Sequence, residues 1–294
     1  MTDTSIQPAG NHAPIIQGLS DIAQDYDAFI LDIFGVIHNG IELYPQTIKC
    51  LTSLKEMGKQ ICMLSNTPRR RHQVKGDLTK LGLDSELYDH IITAGDSAYD
   101  AVKKHSDKRM WFGGTERFEA LLEGIDVELA EGPHDCECVL NAIDGLFMTD
   151  QDEIKAKLQI ALDRDVPMIC ANPDLVVNIG DKTYVCAGTY ADWYADNGGT
   201  VSYHGKPHEP VYEEAWEFFG QIDKSKILAV GDALKTDVQG ANRFGIDSIF
   251  NLTGIHWEEV QLKSAPKTVD KEKLTQAIEK QPYRPTYILC GFTW

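Results

Sequence analysis

Short apolar runs that each end in a cluster of polar residues limit the possible folds of this chain more than any other feature. A short, continuous apolar run is typical of a strand that is buried on both faces of a parallel sheet. Helical patterns separate these runs, and strands that alternate with helices favour a parallel sheet with crossover helices. The runs and the polar residues that follow them are 28–31 with Asp32, 60–64 with Ser65, and 227–230 with Gly231 and Asp232.

Three segments beside these runs have helical spacing of apolar residues, and each ends at a glycine. Glycine after the last apolar position is a common helix stop because it accepts the left-handed backbone conformation. The predicted helices are residues 47–57 before Gly58, 74–81 before Gly82, and 236–244 before Gly245. A further strand is predicted at 248–251. Residues up to about Ser20 lack periodicity and are expected to form a tail or a short lead-in.

The middle of the chain has a strand and helix pattern of its own. Apolar runs occur at 110–112, 138–140 and 168–170, and an amphipathic helix is predicted over 151–162. The sequence therefore predicts a three-layer, Rossmann-like α/β core with a parallel sheet, formed by residues 1–95 and 200–294. Residues 96–199 are expected to form an inserted α/β cap. We find no internal repeat that would indicate a solenoid.

The net charge of −17 restricts the ligands of the chain. Such a charge repels a polyanion, so nucleic-acid binding would need a dense local basic patch. The candidate patch is Arg69, Arg70 and Arg71 with His72 and Lys75, and a run this short is more often the solvated start of a helix. We therefore expect no nucleic-acid partner, and we expect a metal ion or a particular lysine or arginine to hold any small anionic substrate.

The chain is expected to be cytoplasmic and reduced. Residues 1–14 have neither the basic nor the apolar region of a secretory signal, and no apolar stretch is long enough to span a membrane. Seven scattered cysteines do not form a disulfide framework. Cys136 and Cys138 resemble half of a metal site, but no second pair has ligand spacing. The Asn251-Leu252-Thr253 glycosylation sequon has no meaning without export.

The polar clusters supply the candidate site, because the carboxyl edge of an open parallel sheet is where ligands bind. Asp32, followed by Ile33-Phe34-Gly35-Val36, is a carboxylate that could attack phosphorus. The alternative is an aspartate that starts a turn, and this is the more common meaning of the short motif alone. Ser65 and Asn66 could hold a phosphate, or could cap a helix that Pro68 begins.

Two further segments could place a positive charge near a phosphate, one through a lysine and the other by binding a metal ion. Lys206, fixed between Gly205 and Pro207, could neutralise developing charge, although in isolation it would be taken for a solvated loop lysine. Asp232 and Asp237 form an acidic pair after a strand, which suits Mg²⁺ because this ion binds few protein carboxylates. Asp237 could instead stabilise a helix N-terminus. The paired arrangement favours the metal.

In chain order, these four clusters resemble the motifs of the haloacid dehalogenase-like hydrolase superfamily over roughly residues 25–255. The long insertion between Ser65 and Lys206 resembles its class IIA branch, which includes sugar-phosphatase and 4-nitrophenylphosphatase-like enzymes. The segments 171–174 (Ala-Asn-Pro-Asp) and 231–237 are also similar to that branch.

The resemblance implies a role for each matching residue. Asp32 would be the nucleophile, and Lys206 would neutralise charge. Ser65 and Asn66, with Lys206, would hold the phosphate. Asn172 and Asp174 of the cap would face the substrate. The implied ligands of Mg²⁺ are Asp32, the backbone carbonyl of Phe34, Asp232 and Asp237.

One position departs from the family pattern. Phosphatases of this superfamily usually carry a second aspartate two residues after the nucleophile, where it acts as general acid and base. Here this position is Phe34, and loss of a general acid typically costs about 10²–10⁴ in rate. Three outcomes are open: a preference for good leaving groups, a substitute acid (His38, Asp174 or Asp192), or loss of turnover.

The sequence thus predicts a Mg²⁺-dependent phosphatase-like hydrolase that acts on a small phosphorylated metabolite. The alternatives are an impaired phosphoester-binding or regulatory protein, and another hydrolase of the superfamily. A dehalogenase would not need the acidic pair, and no cap lysine stands out as the Schiff-base former of a phosphonatase. The residues identify neither the substrate nor whether the chain forms a homo-oligomer, and no membrane partner is expected.

Overall fold

The computed structural model describes residues 13–179, 182–261 and 268–294. The prediction that residues 1–14 are not a secretory signal concerns mostly residues 1–12, which lie outside these ranges. No helix within them is long and apolar enough to cross a membrane. The strands are β1 Ile15–Ile16, β2 Ala28–Leu31, β3 Gln60–Ser65, β4 His90–Thr93, β5 Met110–Gly114, β6 Cys138–Ala142, β7 Met168–Cys170, β8 Val176–Ile179, β9 Lys182–Val185, β10 Val201–Tyr203, β11 Ile227–Gly231, β12 Asp247–Asn251 and β13 Tyr287–Leu289.

Helices connect most of these strands. The α-helices are α1 Thr47–Glu56, α2 Arg71–Lys80, α3 Ala94–Lys104, α4 Gln151–Leu162, α5 Ala187–Asp196, α6 Glu209–Phe218, α7 Gln239–Phe244, α8 Trp257–Val260 and α9 Lys271–Glu279. Short 3₁₀ turns occupy Leu19–Asp21, Ala23–Asp25, Ser85–Leu87, Glu116–Leu121 and Lys224–Lys226, and a π-helical turn occupies Leu234–Val238.

The larger sheet has the strand order β1-β13-β12-β11-β2-β3-β4, and all its neighbouring strands are parallel. From β2 the chain proceeds outward to β3 and β4, whereas from β11 it proceeds in the opposite direction to β12 and β13. The strand order therefore reverses between β2 and β11, and such a switch point leaves a crevice at the carboxyl ends of the strands.

Both faces of the larger sheet are covered. On β2, Phe29 and Leu31 pack into one apolar cluster with α1 and α2, while Ala28 and Ile30 pack into a second cluster with α6 and α7. Successive side chains of a strand point to opposite faces, so a strand covered on both sides must be apolar throughout. This explains the continuous apolar runs and confirms the predicted parallel α/β fold.

A second, four-stranded sheet has the order β10-β7-β6-β5 and is also parallel, and β8 and β9 form an antiparallel pair. Apolar clusters cover both faces of this small sheet. The proposed division at residues 95 and 200 remains a prediction. β10, which pairs with β7, lies just after the second of these positions.

Two local predictions need correction. The lead-in expected up to Ser20 contains β1, which pairs with β13, and two residues are too short for any periodicity to reveal. The helix predicted over 236–244 begins as the π-helical turn and continues as α7. A π-helical turn is wider than an α-helical one and is common at functional sites.

Candidate active site

The site lies at the switch point of the larger sheet. Asp32 follows β2 directly, and its backbone N–H donates to Val230 of β11 at 2.8 Å. Asp232 follows β11, and Ser65 is the last residue of β3. The parallel register of these adjacent strands therefore brings three of the four polar clusters to one edge, as the sequence predicts.

Three carboxylates meet there. Oxygens of Asp32, Asp232 and Asp237 all lie within 4.8 Å of one another. Their side chains are almost fully buried, with exposed fractions of 7%, 7% and 5%. The π-helical turn carries Asp237 back toward β11, so that a Cβ built on Gly231 would lie 2.0 Å from Asp237 Cγ. A side chain at position 231 would therefore displace this carboxylate.

Glycines also surround Asp232. A Cβ on Gly254 would lie 1.6 Å from Asp232 Oδ2, and one on Gly35 would lie 2.3 Å from the same oxygen. The backbone N–H of Ile255 donates to Asp232 Oδ2 at 2.8 Å. The backbone thus approaches this carboxylate from two loops, which is possible only without side chains at these positions.

Lys206 neutralises part of this negative charge. Its ammonium donates to Asp32 Oδ1 and, at 2.7 Å, to Asp237 Oδ1, and only 3% of the residue is exposed. Burial alone would lower the pKa of Lys206, but the Asp237 and Asp32 carboxylates outweigh it and hold the pKa well above its usual range. The lysine is therefore a buried, charged group and not the solvated loop residue of the alternative interpretation.

Asn66 fixes the backbone of Lys206. The Asn66 side chain accepts from the Lys206 N–H at 2.7 Å and donates to the Lys206 carbonyl at 3.0 Å. It also donates to Asp174 Oδ1 at 2.8 Å, which links the larger sheet to the loop after β7. Gly205 has φ +114°, and a Cβ there would lie 2.5 Å from Asn66 Oδ1. The glycine before the lysine thus leaves room for the amide that holds the lysine.

The electrostatics of the carboxylates favour a further cation. Burial raises the pKa of Asp32 well above its usual range, and repulsion from Asp237 and Asp232 opposes the lowering effect of Lys206. Burial and then the Asp237 charge raise the pKa of Asp232 to about 7. Three buried carboxylates beside one ammonium remain under-compensated. This oxygen-rich set suits a hard divalent ion such as Mg²⁺.

A cavity of about 420 Å³ opens from these groups. Ser65, Asn66 and Lys206 line it together with the three carboxylates. The Ser65 hydroxyl accepts from the Thr67 N–H at 3.3 Å, which leaves its own O–H to donate. The cavity volume is within the range of about 300–1,000 Å³ that is usual for small-molecule sites.

Of the other predicted residues, some line this cavity and some do not. Phe34 and Asp174 line it, whereas Asn172 is not among the described residues of its wall. Asn172 Oδ1 instead accepts from the Asp174 N–H at 2.9 Å, so Asn172 orients the loop that carries Asp174. Burial raises the pKa of Asp174.

Two of the proposed substitute acids have other contacts. His38 Nδ1 accepts from the Gly40 N–H at 2.9 Å, and burial lowers the pKa of His38 to about 4. Asp192 accepts from the Tyr203 hydroxyl at 2.9 Å. Neither belongs to the described lining of the cavity, which leaves Asp174 as the candidate acid nearest the site.

Asn251 and Thr253 are site residues that the sequence analysis did not identify. Both donate to the carbonyl of Gly35, at 3.1 and 2.5 Å, and so fix the loop after Asp32. Asn251 is the last residue of the predicted strand 248–251 and Thr253 follows it closely, which is a usable signal because β12 ends at the same edge as β11 and β2.

The arginines of the basic run form ion pairs, and the two cysteines that resembled half of a metal site are buried in apolar clusters. Arg70 and Arg71 both bond to the buried Asp96, at 2.6 and 2.9 Å, so they are partly buried at the start of α2 and not simply solvated. Cys136 and Cys138 are buried in the two apolar clusters of the small sheet, and both are free thiols.

Comparison with known proteins agrees with this geometry. Residues 29–128 match a family model described as haloacid dehalogenase-like hydrolase, and residues 203–292 match one described as HAD-hydrolase-like. The chain is 32% identical to a crystal structure of a haloacid dehalogenase-like hydrolase from Brucella suis, with a TM-score of 0.80 over 95% of this chain and 100% of that one.

Two other proteins that resemble this chain have names that indicate an activity. An acid sugar phosphatase of Staphylococcus aureus is 25% identical over 266 residues, which cover 87% of this chain and 98% of the relative. A p-nitrophenyl phosphatase from Archaeoglobus fulgidus has a TM-score of 0.69 at 24% identity, over 91% of this chain and 97% of that one, which shows a common fold. With its four polar clusters in family order and a full-length match above 30% identity, this chain belongs to the haloacid dehalogenase-like hydrolase family, in its class IIA branch.

Proposed function

We propose that this chain is a Mg²⁺-dependent phosphatase in which Asp32 attacks the phosphorus of a small phosphorylated metabolite. The main support is the contact of Lys206 with both Asp32 and Asp237, beside an Asp232 oxygen that lies within 4.8 Å of theirs. One carboxylate is thus held next to a fixed cation and an acidic pair, which is the arrangement that nucleophilic attack on a charged phosphate requires. The names of the relatives, an acid sugar phosphatase and a p-nitrophenyl phosphatase, agree with this activity.

In the first step, an Asp32 oxygen forms a bond to phosphorus while the bond from phosphorus to the ester oxygen breaks. The leaving group departs as its alkoxide or phenolate anion, which then takes a proton from water, and an aspartyl-phosphate remains. In the second step, water attacks phosphorus, which releases phosphate and restores the Asp32 carboxylate. The Ser65 hydroxyl and the Asn66 backbone N–H hold phosphate oxygens, and the Lys206 ammonium offsets their charge.

Asp32, Asp232, Asp237 and the Phe34 carbonyl would bind Mg²⁺, which offsets the charge of the phosphate when it is present. The two raised pKa values support this assignment, because a divalent ion would keep Asp32 and Asp232 ionised. Asp32 is a nucleophile only in that form.

Phe34 restricts the leaving group. A phenyl ring cannot protonate the departing oxygen, so esters of acidic alcohols, enol phosphates and acyl phosphates should react best. Asp174, Val176 and Val177, which belong to the predicted cap, line part of the cavity, and closure of such a cap would exclude water.

Phe34 also supports a second candidate function, a protein that binds phosphate esters without turnover. The cavity, Lys206 and the carboxylates would serve binding equally well, whereas an alkyl ester would lack an acid for its leaving group.

Hydrolysis of p-nitrophenyl phosphate separates the two candidates, because its good leaving group needs little protonation. The phosphatase hypothesis predicts phosphate release that requires Mg²⁺, stops with excess EDTA and disappears in Asp32→Asn. Absence of turnover, together with tight binding of a metal fluoride that imitates phosphate, would favour the binding protein.

A further inference from the structure

A short connection, residues 66–70, joins β3 to α2 and directly follows Ser65. In the proposed function the phosphate is held here, by the Ser65 hydroxyl and the Asn66 N–H. Such a site depends on exact placement, because a misplacement of about 1 Å can cost about 10²-fold in rate. The β3–α2 connection also contains two arginines of the basic run and leads into the third, and the proposed function gives none of them a role.

Asp96, in the first turn of α3, is the residue to which Arg70 and Arg71 bind. It is buried, with an exposed fraction of 6%. Four hydrogen bonds reach its carboxylate: Arg70 Nε donates at 2.6 Å, the Arg71 backbone N–H and Nε each donate at 2.9 Å, and the Thr93 hydroxyl donates at 3.0 Å. Burial alone would raise the pKa of Asp96, but the hydrogen bonds from the two arginines outweigh it and hold the pKa below its usual range. The carboxylate is therefore charged at neutral pH.

Helix capping explains only part of this arrangement. The Thr93 hydroxyl accepts from the Asp96 N–H at 3.0 Å, which is an ordinary cap at the start of α3. Such a cap needs neither arginine. Three of the four hydrogen bonds to the Asp96 carboxylate come from Arg70 and Arg71, so most of its contacts serve the β3–α2 connection and the start of α2.

The backbone beside Asp96 holds the same connection. The Gly95 N–H donates to the Thr67 carbonyl at 3.0 Å. A Cβ on Gly95 would lie 2.3 Å from the Pro68 carbonyl oxygen and 2.5 Å from that of Arg69. The connection therefore lies directly on the first turn of α3, and a side chain at position 95 would push it away.

The two arginines extend this contact in two directions. The Arg70 guanidinium lies over the Tyr99 ring, 3.5 Å from its centroid, and donates to the Ala120 carbonyl at 3.4 Å. Arg71 donates to Glu214 of α6 at 3.1 Å. Since α3 packs into an apolar cluster of the smaller sheet, the arginines join the β3–α2 connection to elements beside both sheets.

From these contacts we infer that Asp96 is a positioning residue, which through the two arginines holds the β3–α2 connection in the arrangement that binds phosphate. The inference rests on the proposed function for the location of the phosphate, but it concerns binding and not turnover. Loss of the Asp96 charge should weaken the phosphate site and leave the metal site intact, because the three metal-binding carboxylates lie on other segments, after β2 and after β11.

Binding of inorganic phosphate tests the inference without turnover. We would measure phosphate affinity on the Mg²⁺-loaded protein, and Mg²⁺ affinity on the metal-free protein, both by calorimetry. Asp96→Ala should weaken phosphate binding by about tenfold, and Mg²⁺ affinity should stay within about twofold. Asp96→Asn should lose less, because asparagine keeps an oxygen that can accept from the Arg71 N–H. Gly95→Ala displaces the same connection without a change in charge and should also weaken phosphate binding.

Asp89→Ala is the matched control. Asp89 also forms an ion pair, with Lys55, and accepts from a backbone N–H, that of Ile61 at 2.8 Å, but it lies at the amino end of β3. It should leave phosphate affinity unchanged. If Asp96→Ala does not fold, Asp96→Asn and Gly95→Ala provide the same comparison.

Three results would overturn the inference: phosphate affinity that is unchanged in the Asp96 and Gly95 variants, an equal loss in Asp89→Ala, or a parallel loss of Mg²⁺ affinity. A wild-type protein that does not bind phosphate would overturn it as well. Release of phosphate from p-nitrophenyl phosphate is measured separately, so failure of the proposed function would be seen independently of these results.

Discussion

The side-chain amide of Asn66, at the end of β3, donates to Asp174 of the cap loop at 2.8 Å while it also holds both backbone polar groups of Lys206. Lys206, the proposed charge-neutralising residue, and the loop after β7 in the predicted cap are therefore held by the same side chain. This arrangement gives Asp174 two possible roles, as a hydrogen-bond acceptor that holds the cap or as a substitute general acid.

Asp174→Asn and Asp174→Ala distinguish these roles. Asparagine keeps an oxygen that can accept from Asn66, so a holding role predicts nearly normal kcat/KM for Asp174→Asn with p-nitrophenyl phosphate. Alanine loses the hydrogen bond, and kcat/KM should fall by about tenfold. If the two variants lose activity equally with an alkyl phosphate, Asp174 supplies a proton and does not merely hold the cap.

Phe34→Asp should restore the usual general acid. Hydrolysis of an alkyl phosphate should then rise by about 10²–10⁴, whereas p-nitrophenyl phosphate should gain little. Phe34→Asn is the control, since it has nearly the shape of aspartate without the proton. A gain of the same size in both variants would show that removal of the ring, and not a new acid, is responsible.

The stability of the metal-free protein should depend on pH through Asp232. Its pKa in the folded chain is about 7, above the ordinary value of 3.8, so between these values the folded state binds a proton that the unfolded state does not. Stability therefore falls as pH rises through this window, and Tm in EDTA should decrease from pH 5 to pH 7.5. Excess Mg²⁺ should flatten the curve, and Asp232→Asn should make it less steep, because the raised pKa of Asp32 still contributes a dependence of the same sign. An equally steep curve in that variant would contradict the assignment.

Gly254→Ala should damage the metal site. Its Cβ would lie 1.6 Å from Asp232 Oδ2, so the carboxylate or the loop must move. We expect Mg²⁺ affinity, measured by calorimetry, to fall by about tenfold or more. Gly76→Ala is the control, because a Cβ at this position in α2 meets nothing within 4 Å. Unchanged affinity in Gly254→Ala would argue against Asp232 as a ligand.

The sequence predicted the main features of the fold because strands buried on both faces must be continuously apolar. β2, β3 and β11 are such strands, and the residues after them meet at one edge as expected. β1 was missed because two residues carry no periodic signal. The pairing of β10 with β7 was missed because it depends on contacts between distant segments.

The sequence predicted which residues form the site better than it predicted the contacts between them. Asp32, Ser65, Asn66, Lys206, Asp232 and Asp237 all line one cavity. The hold of Asn251 and Thr253 on the Gly35 carbonyl depends on three-dimensional proximity across more than 200 residues, which no local pattern reports. The close approaches of Gly35 and Gly254 to Asp232 have the same origin.

The most direct test of the account is to trap the covalent intermediate. The protein would be mixed with excess p-nitrophenyl phosphate and Mg²⁺, quenched in acid, and reduced with borohydride, which converts an acyl phosphate of aspartate to homoserine. We predict homoserine at position 32 by peptide mass spectrometry, and none in Asp32→Asn or without substrate. Sustained turnover with unmodified Asp32, or with the modification at another carboxylate, would contradict Asp32 as the nucleophile.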